Sequence, residues 1–367
     1  MHTKLFIPGP INISDRVREI RANHFPYGHR TPEISKRLKP VFENLKKLLY
    51  IDSDDYISIV STSSGTGLME GAVRNCVKDD EKVLMVSIGA FGDLWYNVAK
   101  KNGKQTEYLK FNPGEPADVN VIEDKLKTGE FVAICITHNE TSTGVINKLE
   151  DVSVVTKKYN VLLLVDAVSS IAGMPIKVQE NAVDVVLTSG QKSLGIDAGF
   201  AVGAVSQKAL EKAAQVPNRG YYFDFVEFQK YREKGQTATT PNEVTIDELQ
   251  GQLEYILNVE GLENRFARIK QLADYTRSWA TSNGLTLFPK SNPSDTVVCI
   301  ENTKGFDLGA VKTAMLEKGF AFDAGYRKLN DALKAEGKHT TFRIPIMGDI
   351  TKAELDEYLG ALEGSLT

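Results

Sequence analysis

Residues 161–195 read VLLLVDAVSSIAGMPIKVQENAVDVVLTSGQKSLG, and this stretch decides the fold. Two apolar runs, Val161–Val165 and Val183–Leu187, each end in a loop of small and polar residues. The first stops at Asp166. The second, broken only by Asp184, stops at Thr188-Ser189-Gly190-Gln191-Lys192. Near-continuous Val/Leu runs suit parallel strands covered on both faces. In open α/β sheets, ligands bind outside the carboxyl ends of the strands. The pattern therefore brings one acid and one lysine to the same sheet edge. An acid can hold a pyridine nitrogen protonated and a lysine can form a Schiff base, the two protein groups that pyridoxal 5′-phosphate (PLP) requires. Strand-end aspartates also serve as helix caps, and most of the 44 lysines and arginines are expected on the surface. The remainder of the chain has to choose between these readings.

At 367 residues the chain suits one large domain plus a smaller one. An apolar content of 42% with 25% charged residues is that of a soluble globular protein. The net charge of −4 gives no electrostatic reason to expect nucleic acid or an anionic membrane as partner. Cys76, Cys135 and Cys299 are far apart and form no CxxC pair, so neither a zinc site nor a disulfide framework is expected. A reducing, cytoplasmic compartment follows. The N-terminus shows no charged-then-apolar leader, no apolar run approaches the ~18 residues of a membrane span, and Gly364-Ser365-Leu366-Thr367 is not a recognised address signal.

Residues 1–14, with Pro8, Gly9 and Pro10, read as an extended arm without regular structure. Ser14 is placed to cap the short helix DRVREIRA. Ile34, Leu38, Val41, Leu45 and Leu48 share one face of a second helix. Tyr56–Ser61 is the first strand of the sheet, and it runs into Thr62-Ser63-Ser64-Gly65-Thr66-Gly67 and then a helix from Leu68 to about Val77. A strand, a Ser/Thr/Gly turn and a helix N-terminus form an anion site, with phosphate the expected guest. The rival is a dinucleotide. Its fingerprint is only approximated, because the glycines are spaced GxGxxxG and the next strand, Val83–Ser87, ends in Ser87-Ile88-Gly89 with no acid for a ribose. A nicotinamide oxidoreductase is disfavoured on that ground.

Phe91 opens the next helix, where an aromatic ring could stack on a flat cofactor or simply pack in the core. Phe131–Thr137 is another buried strand, ending in His138-Asn139-Glu140-Thr141-Ser142-Thr143-Gly144. So many hydrogen-bonding side chains after one apolar strand look like a site. His138 and Glu140 lack a second ligand pair, so no metal is expected. A helix spans about Leu149–Lys158, and Phe200–Ser206 is the last strand of this unit. About seven strands, several separated by helices, give an α/β fold with one mostly parallel sheet. A helical pattern runs from about Thr245 to Ser282 with a break near Gly261. The strands Thr296–Ile300 and Thr340–Ile346 then alternate with the helices Leu308–Lys318 and Lys352–Leu362, as in an α+β unit. The boundaries read as an arm at 1–14, a large domain at 15–250 and a small C-terminal domain at 251–367.

With these loops in hand, the chain resembles the class V aminotransferases of PLP fold-type I, and most closely the alanine–glyoxylate and serine–pyruvate (serine–glyoxylate) branch. The resemblance covers nearly the whole length: PGPIN at 8–12, GHRTPE at 28–33, SGTGLME at 64–70, GAFGDLW at 89–95, THNETSTG at 137–144, LLLVDAVSS at 162–170, TSGQKSLG at 188–195 and FRIPIMGD at 342–349. It implies a PLP enzyme that moves an amino group from alanine or serine to glyoxylate or pyruvate by a ping-pong mechanism. It further implies that Lys192 carries the cofactor and moves the proton, and that Asp166 pairs with the pyridine nitrogen. Ser64, Gly65, Thr66 and Gln191 would hold the phosphate. Phe91 and Val168 would cover the two faces of the ring, and Thr141 would approach the ring hydroxyl. Arg343 would bind the substrate carboxylate as a planar fork. Thr237 and Thr240 would reach the phosphate of a neighbouring subunit, implying a homodimer with sites at the interface.

The chain departs from the family pattern near the substrate. Gly195-Ile196-Asp197-Ala198-Gly199 replaces a common Pro-Pro-Gly, Phe91 stands where Trp is frequent, and Pro345-Ile346 stands where Gly-His is frequent. A transaminase acting on 2-aminoethylphosphonate is the main alternative. A class V lyase would need a mobile-loop cysteine, which the segment Asp323–Gly337 lacks. A hydrogenase-associated subunit is a further alternative, against which intact Lys192, Asp166 and Arg343 argue.

Overall fold

A computed structural model describes residues 3–366. The first two residues of the expected arm, and Thr367 of the C-terminal tetrapeptide, lie outside the described residues. Seven strands form the central sheet. In spatial order they are Tyr56–Ser61, Ala201–Ser206, Val185–Ser189, Leu162–Asp166, Phe131–Thr137, Lys82–Ser87 and Gln105–Lys110. Ala201–Ser206 runs antiparallel to both of its neighbours, and the remaining pairs are parallel.

The apolar runs are continuous because both faces of the sheet are covered. Side chains alternate across a strand. Leu163 and Val165 pack with Ile34, Leu38 and Leu45 of one helix layer. Leu162 and Leu164 pack with Leu68, Met69 and Trp95 of the other. Each central strand therefore has no polar face to show in its sequence.

Strand ends moved by one or two residues. Asp166 is the last residue of its strand, not the first of the loop, since the parallel ladder to Val185–Ser189 extends to the pair Asp166 and Leu187. The second strand runs Val185–Ser189, so Thr188 and Ser189 are paired residues. Gln105–Lys110 was not legible as a strand. It is the partly exposed edge of the sheet, and its sequence QTEYLK carries the charge that edges usually carry.

A second core gathers Ile269, Val298, Ile300, Phe342, Ile344 and Tyr358 around an antiparallel sheet of Thr286–Leu287, Val297–Glu301 and Thr341–Pro345. The N-terminal stretch departs from expectation here. Lys4–Phe6 is a strand, paired in parallel with Phe320–Phe322, and the ring of Phe6 stacks on Tyr358 at 3.9 Å. Regular structure is lost only afterwards, at Ile7–Pro10. Ser14 precedes the helix Asp15–Ala22 but makes no side-chain cap hydrogen bond, contrary to the expected cap. The segment read as a loop from Asp323 to Gly337 contains the helix Arg327–Ala335. The long helical stretch is Glu243–Glu254, a π-helical turn at Tyr255–Glu260, and Leu262–Ser282. Its break falls at Gly261, whose φ of +81° suits glycine. Among the described residues no helix is long and apolar enough to cross a membrane.

Candidate active site

The adjacent strands Leu162–Asp166 and Val185–Ser189 deliver Asp166 and the Lys192 turn to one edge of the sheet. The Asp166 side chain is only 2% exposed. One carboxylate oxygen accepts from the Val168 N–H at 2.9 Å and the other from the Thr137 hydroxyl at 3.3 Å. Burial pushes its pKa up to about 7, and Glu140 adds to the shift. The Val168 N–H, Thr137 and Lys192 oppose it. Such a carboxyl group favours a cationic partner that lets it ionise. Lys192 is shifted the other way. Burial lowers its pKa to about 8, helped by Arg343 and opposed by Asp166 and Asp323. Its amine donates a hydrogen bond to the Pro8 carbonyl, and Ile11 N–H donates to Gln191 O at 3.3 Å. The N-terminal segment thus lies directly over the lysine turn.

The anion loop lies beside them. The helix after it begins at Gly65, three residues earlier than the apolar pattern suggested. Ser64 occupies its N-cap, yet the Ser64 side chain makes no cap hydrogen bond, so its hydroxyl is free for a guest. Gly65 N–H donates to Ser189 Oγ at 3.3 Å, and Ser189 Oγ donates to Gln191 Oε1 at 2.7 Å. A Cβ on Gly65 would stand 2.6 Å from Val168 Cγ2, so only glycine permits this approach. Thr66 lies exposed in the first turn of the helix. Ser189 thus links Gly65, at the N-terminus of this helix, to Gln191, and a helix N-terminus is a place that favours an anion.

Phe91, Thr141, Lys192 and Arg343 line one cavity of about 770 Å³, together with Asp323 and Tyr326. Phe91 is held by Glu140, whose buried carboxylate accepts from Phe91 N–H at 3.0 Å and Gly92 N–H at 3.2 Å. The same carboxylate accepts from the Ser142 N–H and hydroxyl. Glu140 is thus a helix-terminus anchor, and much of the polar loop at 138–144 serves to build the site. His138 bonds Ser170 Oγ through Nδ1 at 2.9 Å, and burial lowers its pKa to about 4. The Thr141 hydroxyl donates to Ser169 Oγ at 2.7 Å.

Arg343 is already engaged. Its Nε and Nη2 donate to the two Asp323 oxygens at 2.8 and 2.9 Å, and Nη1 donates to Thr141 O at 2.9 Å. Thr237 and Thr240 are not brought to this place within the chain. The Thr237 hydroxyl donates to Thr239 O, and Thr240 Oγ1 meets His29 Nε2. All three cysteines are buried. Cys299 sits inside Val297–Glu301, its pKa raised to about 12 by burial, which is unlike a loop nucleophile. Among the described residues no group of three or more His, Cys, Asp or Glu could hold a metal ion.

Sequence reading missed Thr137, Ser189, Asp323 and the Pro8 carbonyl as parts of the site. Ser189 stood in the polar loop already singled out, one residue from a glycine and two from Gln191. Asp323 gave no local signal, because its partner lies on another strand.

A family model for aminotransferase class-V matches residues 18–358. The chain belongs to that family. A serine–glyoxylate aminotransferase of Hyphomicrobium methylovorum is 34% identical over 99% of this chain and 89% of its own length. A soluble hydrogenase 42 kDa subunit of Anabaena cylindrica is 30% identical over 98% of this chain and 92% of its own. Among solved structures, alanine–glyoxylate aminotransferase from Nostoc sp. superposes with a TM-score of 0.91 at 25% identity, covering 100% of this chain and 96% of that one. As a class V aminotransferase, the chain acts on an amino acid and an oxo acid, and the expected α/β fold of these enzymes is the fold observed.

Proposed function

We propose that this aminotransferase uses PLP to move an amino group from L-alanine or L-serine to glyoxylate or pyruvate. The observation that carries this reading is the delivery of a buried Asp166 and a pKa-lowered Lys192 to one sheet edge. The N-terminus of the helix Gly65–Cys76, a position that favours an anion, stands beside them. The residues fit the cofactor. Asp166 favours a cationic nitrogen, Ser64 has an unused hydroxyl, and Gly65 leaves room for close backbone approach.

When bound, PLP supplies an electron sink that makes the amino acid's Cα–H acidic. Asp166 holds the pyridine nitrogen protonated as a fixed, desolvated carboxylate. Lys192, neutral above pH values near 8, would take the proton from Cα and deliver it to C4′ of the cofactor, and would carry it the opposite way in the second half-reaction. Ser64, Gly65, Thr66 and Gln191 would hold the phosphate, while Phe91 and Val168 would flank the ring and Thr141 would approach its hydroxyl. Arg343 receives the substrate carboxylate through the N–H groups that Asp323 and Thr141 leave free. We also assign a homodimer in which Thr237 and Thr240 complete the partner's phosphate site. Phe25 and Tyr221, 81% and 85% exposed, support a covering subunit. Three buried free thiols support a reducing cytoplasm.

The test is the near-visible absorption spectrum of the PLP-loaded protein before and after L-alanine, L-serine or 2-aminoethylphosphonate. Loss of the yellow band with alanine or serine is expected. Loss with 2-aminoethylphosphonate alone would replace this reading with the phosphonate transaminase, and a protein that takes up no PLP would remove it.

A further inference from the structure

Arg343 differs from a free carboxylate anchor in one respect: one edge of its guanidinium is already occupied. An arginine has five N–H groups. Here Nε and one N–H of Nη2 go to Asp323, and one N–H of Nη1 goes to Thr141 O. One N–H remains on each Nη nitrogen, enough for the two oxygens of a single carboxylate.

Asp323 is held from several sides. Its Oδ1 also accepts from Gly325 N–H at 2.9 Å, and its backbone oxygen accepts from Arg343 N–H at 3.2 Å, the two residues facing each other in an isolated antiparallel bridge. The side chains of Arg343 and Asp323 are only 8% and 14% exposed. A carboxylate fixed in this way is not readily displaced by an incoming substrate.

The charge balance of the cavity follows. Lys192 is committed to the reaction, and Arg343 is matched by Asp323. The other cations on the wall, Lys312, Arg327 and Lys334, are solvent-exposed, as are the wall carboxylates Asp307 and Asp331. The buried part therefore holds no uncompensated positive charge for a second anionic group, and Asp323 repels one.

We infer that Asp323 is a specificity-determining residue: by occupying one edge of Arg343 it restricts the anchor to substrates with a single negative charge. Small monocarboxylate amino and oxo acids are accepted, and dicarboxylates and phosphonate dianions are rejected. The inference rests on the assignment of Arg343 as the carboxylate anchor in the reaction proposed above.

The experiment compares kcat/KM for L-alanine, L-aspartate and 2-aminoethylphosphonate, with glyoxylate as acceptor, in the PLP-loaded wild type, Asp323→Asn and Asp323→Glu. Wild type should prefer alanine to aspartate at least tenfold. Asp323→Asn should lower that ratio at least tenfold, mainly through a smaller KM for aspartate, and Asp323→Glu should restore the preference. An unchanged ratio in a folded, PLP-loaded Asp323→Asn protein overturns the inference, as does an equal loss in both variants. Propionate and succinate binding to the wild-type holoenzyme, read from the absorption shift, decides the matter without any variant. Succinate binding tighter than propionate overturns it. Absence of turnover with every donor would instead sink the proposed reaction, and the propionate–succinate comparison would still decide the role of Asp323.

Discussion

The Lys192 amine donates a hydrogen bond to the backbone oxygen of Pro8, a residue 184 positions earlier in the chain. The N-terminal segment thereby lies at the same sheet edge as Lys192 and Asp166. It is tied there from both sides, by the Lys4–Phe6 strand on Phe320–Phe322 and by Ile11 on Gln191.

Gly9 follows Pro8 with a φ of +137°, and a Cβ there would stand 2.7 Å from Lys192 Nζ and 2.8 Å from its Cδ and Cε. Gly9→Ala should displace the amine and lower kcat on the order of 10²-fold, the loss typical of an ångström-scale misplacement. Steady-state turnover together with PLP content checks this, and near-wild-type activity in Gly9→Ala would refute the contact's importance.

Lys192→Ala should keep the fold, as judged by circular dichroism, and lose at least about 10³-fold in turnover, within the range for removing a general base. In the wild type the pKa of this lysine is lowered from 10.5 to about 8. The rate of PLP uptake by the apoprotein should therefore rise as pH increases through about 8, where the amine becomes neutral. A rise only near pH 10 would show that the lysine is not perturbed.

Asp166 carries a pH signature in stability. Its folded pKa is raised from 3.8 to about 7, so the folded apoprotein binds a proton that the unfolded chain has released. By linkage, this contribution to stability is present at low pH and is lost as pH rises from about 4 to 7. His138 contributes with the opposite sign, since its pKa is lowered from 6.5 to about 4. It is common to both proteins in the comparison. Apo Asp166→Asn should therefore melt above apo wild type by a margin that widens up to pH 7 and then levels off. The variant should bind PLP but turn over at least about 10²-fold more slowly. Thermal melts at pH 5 and pH 8 test the sign.

Arg343→Ala leaves the Asp323 carboxylate buried without its partner, a change that costs about 3–5 kcal/mol in comparable pairs. Urea unfolding should show a loss of that order. Adding Asp323→Ala should recover part of the stability and none of the affinity for amino acids, whose KM should stay raised at least tenfold. Recovery of KM in the double variant would mean that Arg343 does not meet the carboxylate.

Much of the central unit was legible from local pattern. The Val/Leu run ending at Asp166 and the polar turn at Lys192 were read as strand ends at one sheet edge, and they lie there. The Ser64–Gly67 turn was read as a helix N-terminus, and the helix begins at Gly65. These features are encoded within a few residues, by side-chain period and by the small residues that a turn or a close approach demands. Gln105–Lys110 escaped notice because an edge strand is polar; Arg327–Ala335, with Leu329 and Leu333 one turn apart on its buried side, carried a helical pattern that was passed over.

The apolar runs and the loops that follow them, read alone, determined the sheet, the placing of the acid and the lysine at one edge of it, and the helix N-terminus near Ser64. The tertiary structure alone decided that Pro8 meets Lys192, that Glu140 anchors the Phe91 turn and not a reacting group, and that Asp323 occupies one edge of the Arg343 guanidinium. It also decided the shifts of Asp166 and Lys192. Each of these depends on what distant segments bring within hydrogen-bond reach and shut away from water, and neither contact distance nor burial is written in the spacing of residues along one strand.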